Sequence, residues 1–274
     1  MKKIIYSPGE PSGIGPDLII KLSSSKLWED LNIPIVSIGD PKLFIDRAAL
    51  LKKKIKIIEL DSLNEVCKNT KGLIQIIKVA KCSNTRPGKL YKSNAQYALN
   101  NLTYSVEHTM QNEGTALVTG PLSKENIISI DKLFTGHTEY IKKITKSKDV
   151  LMMLASDQLR VALATTHIPL KSVSRTITEK LIINKVKILN EDLKNKFNIK
   201  NPNIKVLGLN PHAGENGKIG KEEQDHIKPA VRELRKKKIN VSMPISADTA
   251  FSRKSLKEAA VSYTHLTLPT NREV

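Results

Sequence analysis

Short apolar runs alternate with amphipathic segments along most of the chain. The runs at 2–7 (KKIIYS), 33–40 (IPIVSIGD), 54–60 (KIKIIEL) and 115–120 (TALVTG) predict β-strands, as do 160–167 (RVALATTH), 204–210 (IKVLGLN) and 239–246 (INVSMPIS). Helices are predicted over 15–25, 41–53, 92–114, 178–197 and 221–237, with another starting near Thr249. Pro16 and Asp17 suit the first turn of the first helix, because proline lacks only an N–H that has no partner there and a carboxylate favours the positive helix end. In 178–197, Leu181, Ile182, Val186, Leu189 and Leu193 share one face. Strands alternating with helices of this length predict an α/β architecture.

Polar residues and glycines gather where the predicted strands end: GEPSGIG, IGD, TGPLSK, TTH, LNPHAG and SADTAF. In open α/β sheets the carboxyl ends of the strands line the ligand crevice, so this repetition outweighs any single motif. GEPSGIGP follows a strand and opens a helix, but it is not the GxGxxG dinucleotide fingerprint. Asp40 is a weak candidate for the acidic residue that usually accompanies that fingerprint. Neither a GxSxG elbow, nor HExxH, nor GxxxxGK[ST] occurs.

Of six histidines, His108 and His226 fall inside predicted charged helices and read as surface residues. His137 follows a glycine just before a helix, His167 ends a strand, and His212 follows Asn210-Pro211. Taken singly, each suits a capping or structural role. Together at strand ends they are candidate ligands for a divalent transition metal, because neutral imidazoles suit such ions. The glycine-rich stretch NPHAGENGKIGKEE leaves open a phosphate cradle, a metal ligand or a plain turn.

Composition narrows the remaining classes. The 274 residues suffice for one large α/β domain or two smaller lobes, and 39% hydrophobic with 26% charged residues is a globular balance. No apolar run approaches bilayer length, and the N-terminus lacks the apolar core of a signal peptide, so a cytoplasmic protein without a membrane partner is expected. Cys67 and Cys82 form neither a CxxC pair nor a disulfide framework. The net charge of +18 suggests an anionic partner, but the lysines are dispersed and aromatics are only 4%. That pattern reads as a solvated lysine surface with some charge available to an anionic small substrate, rather than as a nucleic-acid platform.

The collinear motifs PGEPSGIGPDL, VTGPLSK, FTGHTEYI, TTHIPLKSV, LNPHAGENGKIGKEE and ISADTAF resemble the 4-hydroxythreonine-4-phosphate dehydrogenases of pyridoxal phosphate biosynthesis, over about residues 3–260. The resemblance implies an isocitrate/isopropylmalate-dehydrogenase-like α/β/α fold, with two interleaved lobes around a cleft, and not a Rossmann fold. It implies a homodimer with the active site at the interface, NAD or NADP as hydride acceptor, and a divalent metal (Zn, Mg or Co). By the family pattern His137 and Thr138 bind the phosphorylated substrate, and His167 and His212 ligate the metal. Asp248 is a candidate for binding or proton handling, or alternatively a helix cap. A sibling enzyme acting on another phosphorylated hydroxy acid, such as threonate 4-phosphate, is the nearest alternative. A metal-dependent hydrolase or decarboxylase without a nicotinamide, and a basic nucleic-acid binder, are more distant ones.

The match fades near Ala260. The family continues to a Tyr-His-Asp-Gln-Gly motif carrying a third metal ligand, and then to most of the NAD site; here VSYTHLTLPTNREV follows. His265 is a poor substitute, because a one-residue slip in a strand sends the side chain to the opposite face. Residues 261–274 are therefore expected to be a non-native tail on a family-like region 1–260, and the literal chain is expected to have weak activity or none.

Overall fold

The computed structural model describes residues 2–264. It divides into two compact units, 1–148 and 149–274. Each unit is continuous in sequence.

The first unit runs β1 (Lys3–Ser7), α1 (Gly15–Ser23), α2 (Lys26–Asp30), β2 (Ile35–Ile38), α3 (Pro41–Leu50), β3 (Lys56–Glu59) and β4 (Leu73–Ile77). It continues through α4 (Ala95–Gln111), β5 (Thr115–Thr119), α5 (Lys124–Ile128) and α6 (His137–Ile144). The five strands form a parallel sheet in the order β3-β4-β2-β1-β5. The two-residue period of the strands divides their side chains between two cores. Tyr6, Ile35, Ile74 and Ile76 join Trp28 and Phe44 in one cluster, while Ile5, Val36, Ile38 and Ile77 join Leu63 in another. This explains why the strands read as near-continuous apolar runs.

β4 was not predicted, because Gln75 interrupts its apolar run. The structure puts that amide to use: Gln75 accepts from the Cys67 amide and donates to the Cys67 carbonyl, both at 2.8 Å. Asp40 is buried and its carboxylate is engaged by the backbone. It caps α3, accepting from the Lys42 amide at 3.2 Å, and it ties in the Cys82 amide at 2.8 Å.

The second unit contains β6 (Met152–Ala155), β7 (Arg160–Leu163), α7 (Leu170–Thr176), α8 (Glu179–Asn195), β8 (Ile204–Val206) and α9 (Lys228–Lys236). α10 (Ala247–Ala250), α11 (Arg253–Glu258) and β9 (Val261–Thr264) follow. The sheet order is β6-β7-β9-β8, with β6 antiparallel to β7 and the other pairs parallel. The predicted apolar face of α8 is the one that is buried. Ile182, Val186, Leu189 and Leu193 pack with Ile227, Val231 and Leu234, and Leu181 packs against the edge of the cluster.

Two sequence expectations change here. The strand expected over 239–246 is reduced to isolated bridges, Ile204 with Val241 and Leu207 with Ile245. Pro244 has no N–H to give to a ladder there. The boundary expected after Ala260 does not coincide with an edge of the fold. Val261–Thr264 form β9, whose four residues are buried between β7 and β8. β-branched and aromatic side chains suit that two-sided burial. His265 and the rest of the expected tail lie outside the described residues.

Candidate functional site

In the first unit the motifs at the ends of β1 and β5 interlock. The Gly120 amide donates to the Ser7 carbonyl at 2.7 Å, and the Glu10 amide donates to the Pro121 carbonyl at 2.9 Å. The approach is so close that a Cβ on Gly9 would lie 2.2 Å from the Pro121 oxygen. Glu10 itself is buried. Its carboxylate accepts from the Ser12 amide at 3.1 Å and from Asn126 Nδ2, on α5, at 3.0 Å. This residue was missed in the sequence, where GEPSG reads only as a turn.

His137 opens α6 and is half-buried, with Thr138 next to it in the first turn. The ring Nε2 is shielded from solvent and has no hydrogen-bond partner among the described residues. Burial lowers the imidazole pKa, and the Gly120 backbone opposes that shift. That backbone contact engages the other side of the ring, so the shielded Nε2 is the atom left for a further partner.

In the second unit His167 follows β7 and is exposed, with a left-handed backbone at φ 57°. His212 follows β8 on a turn unlike any predicted. Five successive residues, His212 to Asn216, have φ of 50°, 54°, 77°, 42° and 59°. A left-handed run costs roughly 1–2 kcal/mol for each non-glycine member, so the surroundings must hold it. His212 Nδ1 lies 2.8 Å from Glu215 Oε1, and Nε2 lies 3.8 Å from Asp248 Oδ2. Glu215 raises the His212 pKa, first by its hydrogen bond and then by its charge. Asp248 is not the cap of α10: Ser246 holds that position and its hydroxyl donates to Asp248 Oδ2 at 2.9 Å.

The donor chemistry at His212 suits a metal. A carboxylate on Nδ1 fixes the tautomer that leaves Nε2 with a free lone pair, the arrangement that metal-ligating histidines use. The structure brings His212 and Asp248 together. Among the described residues, no three of His, Cys, Asp and Glu are gathered to hold a metal ion.

The charged stretch after the loop, predicted only as a helix start, is partly a set of anchors. Glu223 is buried and accepts from the Leu209 and Asn210 amides, each at 2.7 Å, and from Asn210 Nδ2 at 2.8 Å. Glu222 accepts from Asn210 Nδ2 at 2.8 Å and from the Ser174 hydroxyl of α7. Those two hydrogen bonds, Ser174 first, pull the Glu222 carboxyl down to about 2. A pair of adjacent glutamates just after a glycine-rich turn was the available signal. Among the described residues no helix is long and apolar enough to cross a membrane.

The model of the family described as pyridoxal phosphate biosynthetic protein PdxA matches residues 30–265. A 4-hydroxythreonine-4-phosphate dehydrogenase of Pseudoalteromonas translucida is 43% identical over 257 residues, which is 94% of this chain and 77% of that protein. One from Citrobacter koseri is 39% identical over 259 residues, or 94% of this chain and 78% of its own length. Among solved structures, the 4-hydroxythreonine-4-phosphate dehydrogenase of Klebsiella pneumoniae aligns with a TM-score of 0.88 at 28% identity, covering 97% of this chain and 81% of that one. The matched span includes the segments that carry His137, His167 and His212 and runs through β9. On likeness of that extent, this chain belongs to the PdxA family.

Proposed function

We propose that this chain is an oxidoreductase, a 4-hydroxythreonine-4-phosphate dehydrogenase acting in pyridoxal phosphate synthesis. The reaction is oxidation of 4-phosphooxy-L-threonine to 2-amino-3-oxo-4-phosphooxybutanoate, a β-keto acid that loses carbon dioxide to give 3-amino-2-oxopropyl phosphate. The relatives at 39% and 43% identity carry this activity in their names. The observation that carries the reading is the His212 turn, whose imidazole is oriented through Nδ1 by Glu215 and leaves Nε2 available.

His167 and His212 would hold a divalent metal, and two imidazoles suit Zn or Co better than Mg. When bound, the metal supplies a Lewis acid that favours ionisation of the substrate hydroxyl, and NAD or NADP supplies the hydride acceptor. The chain's own residues do the positioning. Glu215 keeps the His212 ring in one tautomer. Asp248, 3.8 Å from His212 Nε2, is close enough to take part in binding or in proton handling. His137, whose pKa burial lowers, would accept a hydrogen bond from a substrate hydroxyl at its unpartnered Nε2, and Thr138 adds a hydroxyl beside it. The reading includes a homodimer, as the family resemblance implies.

The test is reduction of NAD, followed by its absorbance, with 4-phosphooxy-L-threonine before and after treatment with EDTA. Weak reduction is expected of this chain, because its sequence departs from the family's motifs after Ala260, and what reduction there is should be abolished by EDTA, restored by zinc or cobalt and missing from His167→Ala and His212→Ala. Threonate 4-phosphate in the same assay distinguishes the sibling activity. Metal-independent turnover counts against the proposal, as does Zn²⁺ binding that His167→Ala and His212→Ala leave unchanged.

A further inference from the structure

Glu223 poses a physical question. A carboxylate 1% exposed has given up its hydration, and that loss costs several kcal/mol unless the oxygens are fully engaged. Its recorded hydrogen bonds come from amides: the Leu209 and Asn210 backbones on Oε1, and the Asn210 side chain on Oε2. Both residues lie where the chain leaves β8 and enters the His212 turn. The glycines of the stretch make room for this arrangement. A Cβ on Gly214 would lie 2.5 Å from Glu223 Oε2, one on Gly208 3.2 Å from Oε1, and one on Gly220 2.5 Å from Asn210 Nδ2. The left-handed run from His212 to Asn216 is strained, and it begins directly beyond the anchored residues.

Glu222 extends the arrangement in the other direction. Asn210 Nδ2 donates to Glu222 Oε2 as well as to Glu223 Oε2, each at 2.8 Å. Glu222 also accepts from Ser174 on α7, the helix that follows the His167 turn. A single side chain, Asn210, thus connects the base of one histidine turn to a carboxylate that reaches the helix beyond the other.

We propose that Glu222 and Glu223 are positioning residues that hold the His167 and His212 segments in a fixed relation, Glu223 by anchoring the base of the His212 turn and Glu222 by bridging it to α7. The inference rests on the metal reading of those two histidines for its functional meaning. Its structural content can be tested separately. Glutamine at 223 keeps the shape but places an NH2 where a carboxylate oxygen stood. If its oxygen stays on the two backbone amides, that NH2 faces Asn210 Nδ2, donor against donor. Flipping Asn210 would instead turn its oxygen toward the Glu222 carboxylate. No arrangement satisfies every partner.

The experiment uses the full chain, wild type and with Glu223→Gln, Glu222→Gln or Ser174→Ala, in two measurements. In the first, hydrogen exchange is followed without metal over 165–176, 208–217 and, as a control, α8. Glu223→Gln is expected to speed exchange in 208–217 about tenfold. Glu222→Gln and Ser174→Ala are expected to speed it in both histidine segments, and α8 is expected to keep its protection. In the second, Zn²⁺ alone is titrated calorimetrically. These residues do not touch the histidines themselves, so loosening the segments that carry them is expected to weaken Zn²⁺ binding severalfold.

Unchanged exchange in both histidine segments, or equal acceleration in α8, would overturn the proposal. So would wild-type Zn²⁺ affinity in all three variants when His167→Ala and His212→Ala abolish binding. If those histidine variants bind Zn²⁺ like wild type, the metal reading fails instead, and the exchange measurement still decides the positioning role. Should Glu223→Gln fail to fold, the two variants on the Glu222 side carry both measurements.

Discussion

Arg47 offers a test of how the turn after β1 is held. Its side chain is 3% exposed, its Nε donates to Asp17 Oδ1 in the first turn of α1, and its guanidinium also reaches the Gly13 carbonyl. A guanidinium cannot shed its charge when isolated, so removing the partner leaves a buried cation. Breaking such a pair costs about 3–5 kcal/mol, and because Asp17 is 23% exposed we expect Asp17→Ala to fall near the lower end. Arg47→Met keeps the packing volume and leaves Asp17 partly hydrated, so its cost is set mainly by the unpaired Gly13 carbonyl, about 1–2 kcal/mol. The double variant has no isolated charge and should cost about 2 kcal/mol, giving a coupling of roughly 2 kcal/mol. Urea unfolding followed by fluorescence measures this in the right place. Trp28 is the single tryptophan, it is fully buried, and it lies in the core cluster of the first unit beside Phe44 and Ile20. Additivity of the two single variants to within about 0.5 kcal/mol would show that the pair contributes nothing, and the argument for a held turn would fail.

Other outcomes follow from the same structure. Gly15→Ala would set a Cβ 1.8 Å from the Pro8 carbonyl oxygen, a backbone clash that no rotamer relieves, and should cost about 3 kcal/mol or prevent folding of the first unit, read again from Trp28. Tyr263→Ala empties the centre of the second sheet, where the ring is fully buried, and should destabilise the second unit by about 3–5 kcal/mol; loss of less than about 1 kcal/mol in thermal unfolding followed by circular dichroism would mean that β9 is not an integral strand. Glu222 has its folded pKa near 2, below the ordinary carboxylate value of 4.5, so its contribution is present above about pH 4.5 and is lost as pH falls toward 2. After allowance for solvent screening that contribution is about 1 kcal/mol, and the stability gap between wild type and Glu222→Gln should close over this acid range. A gap that persists unchanged at pH 2 would contradict the assigned hydrogen bonds.

Much of this protein could be read from the order of its residues, because the relevant forces act locally. The alternation of strands and helices, the buried face of α8, and Pro16 and Asp17 in the first turn of α1 all depend on neighbours a few positions away. Local too was the placing of GEPSG, TGP, TTH and NPHAG at the ends of strands, where the structure has them. Elements whose stability depends on distant partners were not legible. β4 carries a glutamine whose amide is satisfied only by Cys67, and β9 is a strand because β7 and β8 leave a place between them. The segment 239–246 has a strand-like pattern but Pro244 breaks its ladder.

The site divides along the same line. The sequence nominated His137, His167 and His212 by residue type and local context, and the family resemblance of its motifs added Thr138, Asp248 and the role of each. Only the tertiary structure decided that Glu215 orients His212, that His137 is half-buried with its Nε2 shielded, and that the two glutamates after the glycine-rich turn are tied to backbone and side-chain donors. A carboxylate's role is set by what surrounds it. Adjacent glutamates in a lysine-rich stretch look like solvated charge until folding brings the Leu209 and Asn210 amides to one and Ser174 to the other.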